Sequence, residues 1–248
     1  HIHVNGDLGL EVLLDVIEEA QRRKPRTDHR TVIVHFATST EEQVVRMAQL
    51  GAIVSANAYY PVGFADKYSQ WGLGPERADA MVRAASVLAN GTPLSLHSDL
   101  PMCPGDPMLM ASFAVNRMTP SGRVAGPEQR ISVHQALRAV TIEAAYSWRR
   151  ENELGSIEVG KIANLTVLDE DPYEVDPSQI GKIRIRATMF EGRIFNIAPD
   201  LMEQRIAPHG ATPSSGVVVV DSCSHESGCG CEVAMFIARY VEAEGWAA

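Results

Sequence analysis

Three residues stand out for the company they keep: His3 in His1-Ile2-His3-Val4-Asn5-Gly6-Asp7, His35 in Val34-His35-Phe36, and Asp99 in Leu96-His97-Ser98-Asp99-Leu100-Pro101. Each closes an apolar or β-branched run, so each is expected at the C-terminal end of a strand. In parallel β/α proteins those ends converge on one mouth, where active sites form. Two neutral imidazoles and a carboxylate are an ordinary ligand set for zinc or a similar divalent ion. Such an ion acidifies a bound water and polarises a carbonyl. Asp99 is the most pointed of the three, because burying a carboxylate is costly unless a cation or donors compensate it. The plainer readings are that Asp99 opens a turn before Leu100-Pro101 and that each histidine is a hydrogen-bonded core residue.

Other side chains near these ends have two readings each. His97 either orients Asp99 or touches substrate, or it is a packed neutral imidazole. Asp7 holds the turn after Asn5-Gly6 or supports the site from behind. His1 shares the face of His3 and is filler. Tyr59, Tyr60, Phe64, Tyr68 and Trp71 form an apolar substrate wall or a self-packed loop. Arg117 follows a helix near the mouth and pairs with an acidic substrate or a surface carboxylate. In the tail, Cys223, His225, Cys229 and Cys231 lie close enough for a small zinc site, or they are redox-labile thiols.

The elements that must position these groups are legible from periodicity. A helix over residues 8–23 carries Leu10, Leu13, Leu14, Ile17 and Ala20 at helical spacing and is stopped by Arg22-Arg23-Lys24-Pro25. Residues 31–36 form a nearly continuous apolar strand of the kind buried on both faces. Thr40 with Gln43 is a capping box opening a helix to Leu50. A strand over 52–60, a long loop over 61–75, a helix over 76–88, a strand over 94–97 and helices over 107–116 and 133–149 complete four strand-helix units. A doubly wound sheet accepts that count; an eight-stranded barrel needs four more units upstream. After Glu153 the texture changes to a small β-module, with strands near 165–169, 182–188 and 189–195 and a turn at Glu191-Gly192. A Pro/Ser/Gly linker, the cysteine cluster and a helix over 232–244 follow. The expected domains are 1–153, 154–200 and 201–248.

The chain has 248 residues, is 45% hydrophobic and carries a net charge of −9, which argues against nucleic acid or an anionic membrane as partner. No apolar run approaches the roughly 20 residues of a membrane-spanning helix. Its four cysteines, Cys103 alone and three clustered, make no disulfide framework. A start at His1-Ile2-His3 reads as the interior of a longer protein, so a targeting segment is not visible and cytoplasmic placement is only the default.

On these motifs the chain resembles the amidohydrolase superfamily, in its metal-dependent amidohydrolase family 3 branch. His3-Val4-Asn5-Gly6-Asp7 is similar to the segment after barrel strand five, Val34-His35-Phe36 to strand six, and His97-Ser98-Asp99-Leu100-Pro101 to strand eight. Gly155-Ser156-Ile157-Glu158-Val159-Gly160-Lys161-Ile162-Ala163-Asn164-Leu165 looks like the closing signature, and Thr188 through Arg193 like the final hairpin. The resemblance implies an α/β fold: the C-terminal half of a TIM-like (β/α)8 metallo-hydrolase barrel with a small β-sandwich module and a helical extension. It implies hydrolysis of a non-peptide carbon-nitrogen bond in a small amide-type substrate, with one or two divalent ions, zinc for preference. His3 and His35 would hold the more buried ion; Asp99 would hold the other, act as general base and carry the proton to the leaving nitrogen. The family's first His-x-His pair and its strand-four bridging residue have no match here, so the N-terminal half is expected upstream or as a separate chain. Asn57 stands where some relatives carry a histidine that touches substrate, and Asn164 replaces an aspartate at a structural position. Self-association through the last helix is a further expectation. The competing reading is a non-catalytic fragment or degenerate metal-binding scaffold that needs a missing N-terminal half.

Overall fold

The computed structural model describes residues 1–197. The cysteine cluster, the expected last helix and the expected domain 201–248 lie outside them. Four short strands, β1 (Ile2–Val4), β2 (Val32–His35), β3 (Ile53–Ala56) and β4 (Leu94–Leu96), form one parallel sheet in sequence order. Helices α1 (Asp7–Arg23) and α2 (Glu41–Gln49) make the first two crossovers. α1 buries Leu10, Leu13, Leu14 and Ile17, four of the residues whose spacing predicts it. The capping box of α2 is formed: Gln43 N–H donates to Thr40 Oγ1 at 3.2 Å and Thr40 N–H to Gln43 Oε1 at 3.1 Å.

The sheet has two unlike faces. Val4, Ile33, Val54, Ala56, Leu94 and Leu96 join the helix-packed core. The alternate positions include Ser55 and Ser95, a polar set opposite the helices. The strands are shorter than expected, ending at Ala56 rather than residue 60 and at Leu96 rather than His97.

Three expectations give way to longer-range packing. The segment 61–75 is not a loop: Tyr59–Gln70 is helix α3. Pro61 is tolerated because it sits in the first helical turn, where its missing N–H would have no intrahelical acceptor. Gly63 is required there by the Tyr59 ring, which lies 2.5 Å from where a Cβ would stand. The single helix over 76–88 is two, α4 (Pro75–Asp79) and α5 (Ala84–Ala89), parted by a left-handed Val82 at φ 51°. After α6 (Pro107–Asn116), the helix over 133–149 is likewise α7 (Val133–Ala139) and α8 (Ile142–Ser147). The break follows from Thr141, whose Oγ1 donates to the Leu137 carbonyl at 2.7 Å and competes with the helical ladder.

The β-module is a three-stranded antiparallel sheet of β5 (Leu165–Leu168), β6 (Ile185–Phe190) and β7 (Arg193–Asn196). Met189 and Phe190 complete β6 instead of opening the next strand. Glu191 and Gly192 both have positive φ, 49° and 81°, as a tight hairpin with right-handed strand twist demands. Asn164 Oδ1 accepts from Glu191 N–H at 2.7 Å, so this residue does pin structure. A second layer that would make the module a sandwich is not among the described residues. The module is anchored by a 3-10 helix, Pro177–Lys182, whose Ile180 joins the main core.

Candidate active site

The parallel ladder runs one step past the strands. Phe36 N–H donates to Val4 O at 3.1 Å, Asn57 N–H to His35 O at 3.2 Å and His97 N–H to Ala56 O at 3.0 Å. These steps bring the expected residues together at the C-terminal edge. The rings of His3 and His35 meet edge-on with centroids 4.3 Å apart, and those of His35 and His97 lie 5.0 Å apart. His97 Nε2 is 3.0 Å from His35 Nδ1, and His35 Nδ1 is 3.9 Å from Asp99 Oδ2.

Strand parity would send His35 with Ile33 into the core. It is turned towards His3 and His97 where the backbone goes left-handed, at His35 (φ 75°) and Phe36 (φ 55°); Asp99 is left-handed too, at φ 54°. For residues with a Cβ this costs on the order of 1–3 kcal/mol each, and such strain clusters at functional sites. Burial favours the neutral form of His97 and His35. The His97 pKa is pushed down to about 4 by desolvation, with His35 adding to the effect and the Asp99 charge opposing it. His35 is also lowered, by burial first, against the pull of Asp99. Asp99 itself is not the buried carboxylate expected: its side chain is 48% exposed, at the lip of the mouth. The turn there is closed by backbone, Met102 N–H to Asp99 O at 2.7 Å.

Supporting residues divide less predictably. Asn57 is fully buried; its Oδ1 accepts from Tyr59 N–H and its Nδ2 donates to Ser98 O at 3.4 Å, tying β3 to the turn that carries Asp99. Asp7 neither holds a turn nor reaches the cluster, but accepts from Arg77 at 2.8 Å in the first turn of α1. His1 packs against Trp148 with its ring tilted and is hydrogen-bonded to Ser147 O. Tyr60 is buried with its ring 6.2 Å from His35, and burial raises its phenol pKa. Tyr59 packs inward on Phe113. Arg117 is not the surface residue expected. Only 1% exposed, it donates to the carbonyls of Asp79, Met81, Val82 and Ala125, and so holds open the break between α4 and α5. Two residues went unnoticed in the sequence. Ser55 Oγ lies 3.0 Å from His97 Nδ1, and Asn5 Nδ2 lies 3.2 Å from His3 Nε2. A serine inside the apolar run of β3 was the available signal for the first; Asn5 was masked by its use as a turn residue.

The donor chemistry suits a divalent ion, but among the described residues no group of three or more His, Cys, Asp or Glu side chains is arranged to hold one. No helix among those residues is long and apolar enough to cross a membrane.

Residues 1–195 match a family model described as the amidohydrolase family. Among curated proteins, the N-substituted formamide deformylase of Arthrobacter pascens is 31% identical over 77% of this chain and 35% of its own length. A metal-dependent hydrolase from Pyrococcus horikoshii OT3 superposes with a TM-score of 0.59 at 26% identity, over 71% of this chain and 35% of that one. Another from Pyrococcus furiosus gives 0.52 at 28% identity, over 64% and 31%. The chain thus spans about a third of the length of these relatives.

Proposed function

The chain belongs to the amidohydrolase family, and from that premise we propose that it serves metal-dependent hydrolysis of a non-peptide carbon-nitrogen bond in a small amide-type molecule. The observation that carries the reading is the meeting of His3, His35 and Asp99 at one end of a parallel sheet, with two of the three on left-handed backbone. The relative from Arthrobacter pascens is named for N-substituted formamides, which supports an amide with a substituent on nitrogen.

His3, His35 and Asp99 would hold the ion, zinc for preference, and they fit it as part of a shell: two imidazoles, with burial favouring the neutral form of His35, and a half-exposed carboxylate. When bound, one or two such ions supply Lewis acidity to the scissile carbonyl and the attacking water. Asp99 takes a proton from the water as its oxygen bonds to the carbonyl carbon. The C–N bond then breaks and Asp99 passes that proton to the departing nitrogen, giving a carboxylic acid and an amine. Asn57 steadies the Ser98 carbonyl beside Asp99, and His97 fixes the ring of His35.

The fold belongs, on this reading, to the C-terminal half of a TIM-like barrel. β1 and β4 each pair on one side only among the described strands, and edges of that kind accept further strands. An N-terminal half, upstream or as a separate chain, would bring the remaining donors. The second reading, a scaffold without catalysis of its own, is favoured by the lack of a three-donor group among the described residues. Equilibrium dialysis of the chain against zinc tests both. Binding is expected to be weak and substoichiometric, and to vanish in His35→Ala; retention by His35→Ala removes the ligand assignment.

A further inference from the structure

Beside the histidine cluster lies a cavity of about 640 Å³, within the range that takes small-molecule ligands. Its wall is the face of α3 that presents Tyr60, Phe64 and Tyr68 at successive helical turns, continued by Trp71. The rings run as a series: Tyr60 to Phe64 at 5.9 Å, and Phe64 to Tyr68 at 5.5 Å, nearly parallel. Tyr59, on the neighbouring face, is spent on core packing against Phe113. The others face the void, and Trp71 is 72% exposed at its rim. Met81 completes the wall and is held in place by Arg117, which binds its carbonyl at 2.7 Å. Among the described residues no charged side chain lines the cavity.

The cavity reaches the reaction centre through two of its lining residues. Tyr60 packs against His35, and Asn5 contacts His3. This mainly aromatic surface, with Asn5, Thr38 and the tyrosine hydroxyls as its polar side-chain groups, offers stacking and apolar burial to a ring but no countercharge for an ionised group.

We propose that this cavity receives a neutral aryl group carried by the amide substrate, so that the site selects aryl-bearing neutral amides over short aliphatic ones and over those with a charged group on the ring. The inference rests on the reading of His3, His35 and Asp99 as the reaction centre, and it names which amides that centre serves.

The test is binding rather than turnover, on the chain as it stands. Affinities of N-benzylacetamide, N-methylacetamide and N-(4-carboxybenzyl)acetamide are measured by ligand-observed NMR titration. The benzyl compound is expected to bind about tenfold or more tighter than either of the others, the discrimination apolar pockets achieve. Trp71→Ala and Phe64→Ala should each remove most of that preference, whereas Tyr59→Phe should keep it; circular dichroism checks that each variant is folded. Trp71 is mostly exposed, so its variant reports the site even if Phe64→Ala fails to fold. Equal or undetectable binding of the three probes, or an unchanged preference in Trp71→Ala, overturns the proposal. Because no bond is broken in this assay, its failure leaves the assignment of Asp99 standing, and failure of that assignment leaves the cavity's preference intact.

Discussion

In the parallel sheet β4 is buried at all three of its residues, whereas in the antiparallel sheet β7 is exposed at all four. The first sheet derives its order from packing on both faces: helices cover one side, and the polar side carries Ser55, Ser95 and the histidines. The second derives its order from hydrogen bonds, a tight hairpin and the Asn164 pin, with one 3-10 helix anchoring it to the core. The proposed chemistry falls on the first, where the surrounding structure over-determines strained backbone such as that at His35 and Asp99. A sheet with an exposed strand has no such reserve.

Substitutions can break this contrast. The largest effect is expected at the chemical end of the parallel sheet. Asp99→Asn in the active enzyme should cut turnover of an amide-type substrate by about 10²–10⁴-fold, the range for a lost general acid-base group. Its thermal midpoint should barely move, since the side chain is half exposed; near-normal hydrolysis would end its role as proton carrier. Next, Leu94→Ala in β4 should cost about 2–5 kcal/mol in urea unfolding. Arg117→Met should cost about 3 kcal/mol, because it strands three buried carbonyls and a partly buried one that now accept from one guanidinium.

Cys103 offers a pH test on the same buried side. Burial pushes its thiol up to about 11 from an ordinary value near 9. The folded chain therefore holds this proton more tightly than the unfolded one. The associated stability is complete below pH 9 and is lost as pH rises towards 11. Relative to Cys103→Ala, the parent should lose about 2 kcal/mol between pH 8 and 11; parallel pH profiles would contradict the burial argument. The smallest effect is reserved for the other sheet. Ile194→Ala in β7 should change stability by less than about 0.5 kcal/mol, as expected for a side chain 58% exposed. A cost similar to that of Leu94→Ala would erase the distinction between the sheets.

What could be read from the sequence follows the range of the forces involved. The capping box, the apolar face of α1 and the β-branched run of β2 are local signals, and each led to the element found. The meeting of His3, His35 and Asp99 was legible because parallel strands share a C-terminal edge. The break at Val82 was not, because its cause is Arg117, 35 residues further along the chain. Pro61 and Gly63 read as loop punctuation, yet one falls in a first turn and the other makes room for a ring. Asn57 read as a position supporting the site or touching substrate, and its bond to the Ser98 carbonyl across the sheet edge was not legible because that partner lies 41 residues away.

The Ser55–His97–His35 series has one more consequence, concerning where protons reside. His97 Nε2 and His35 Nδ1 share a single hydrogen bond, so one nitrogen must bring the proton. If His97 donates, the remaining proton of neutral His35 sits on Nε2 and its lone pair there is lost. If His35 donates, Nε2 is left bare, and neutral His97 must carry its own proton on Nδ1, facing Ser55 Oγ. Because the Ser55 hydroxyl can donate or accept, it serves His97 in either tautomer, so the series can switch as a unit and change which nitrogen of His35 is able to act as a base or a ligand.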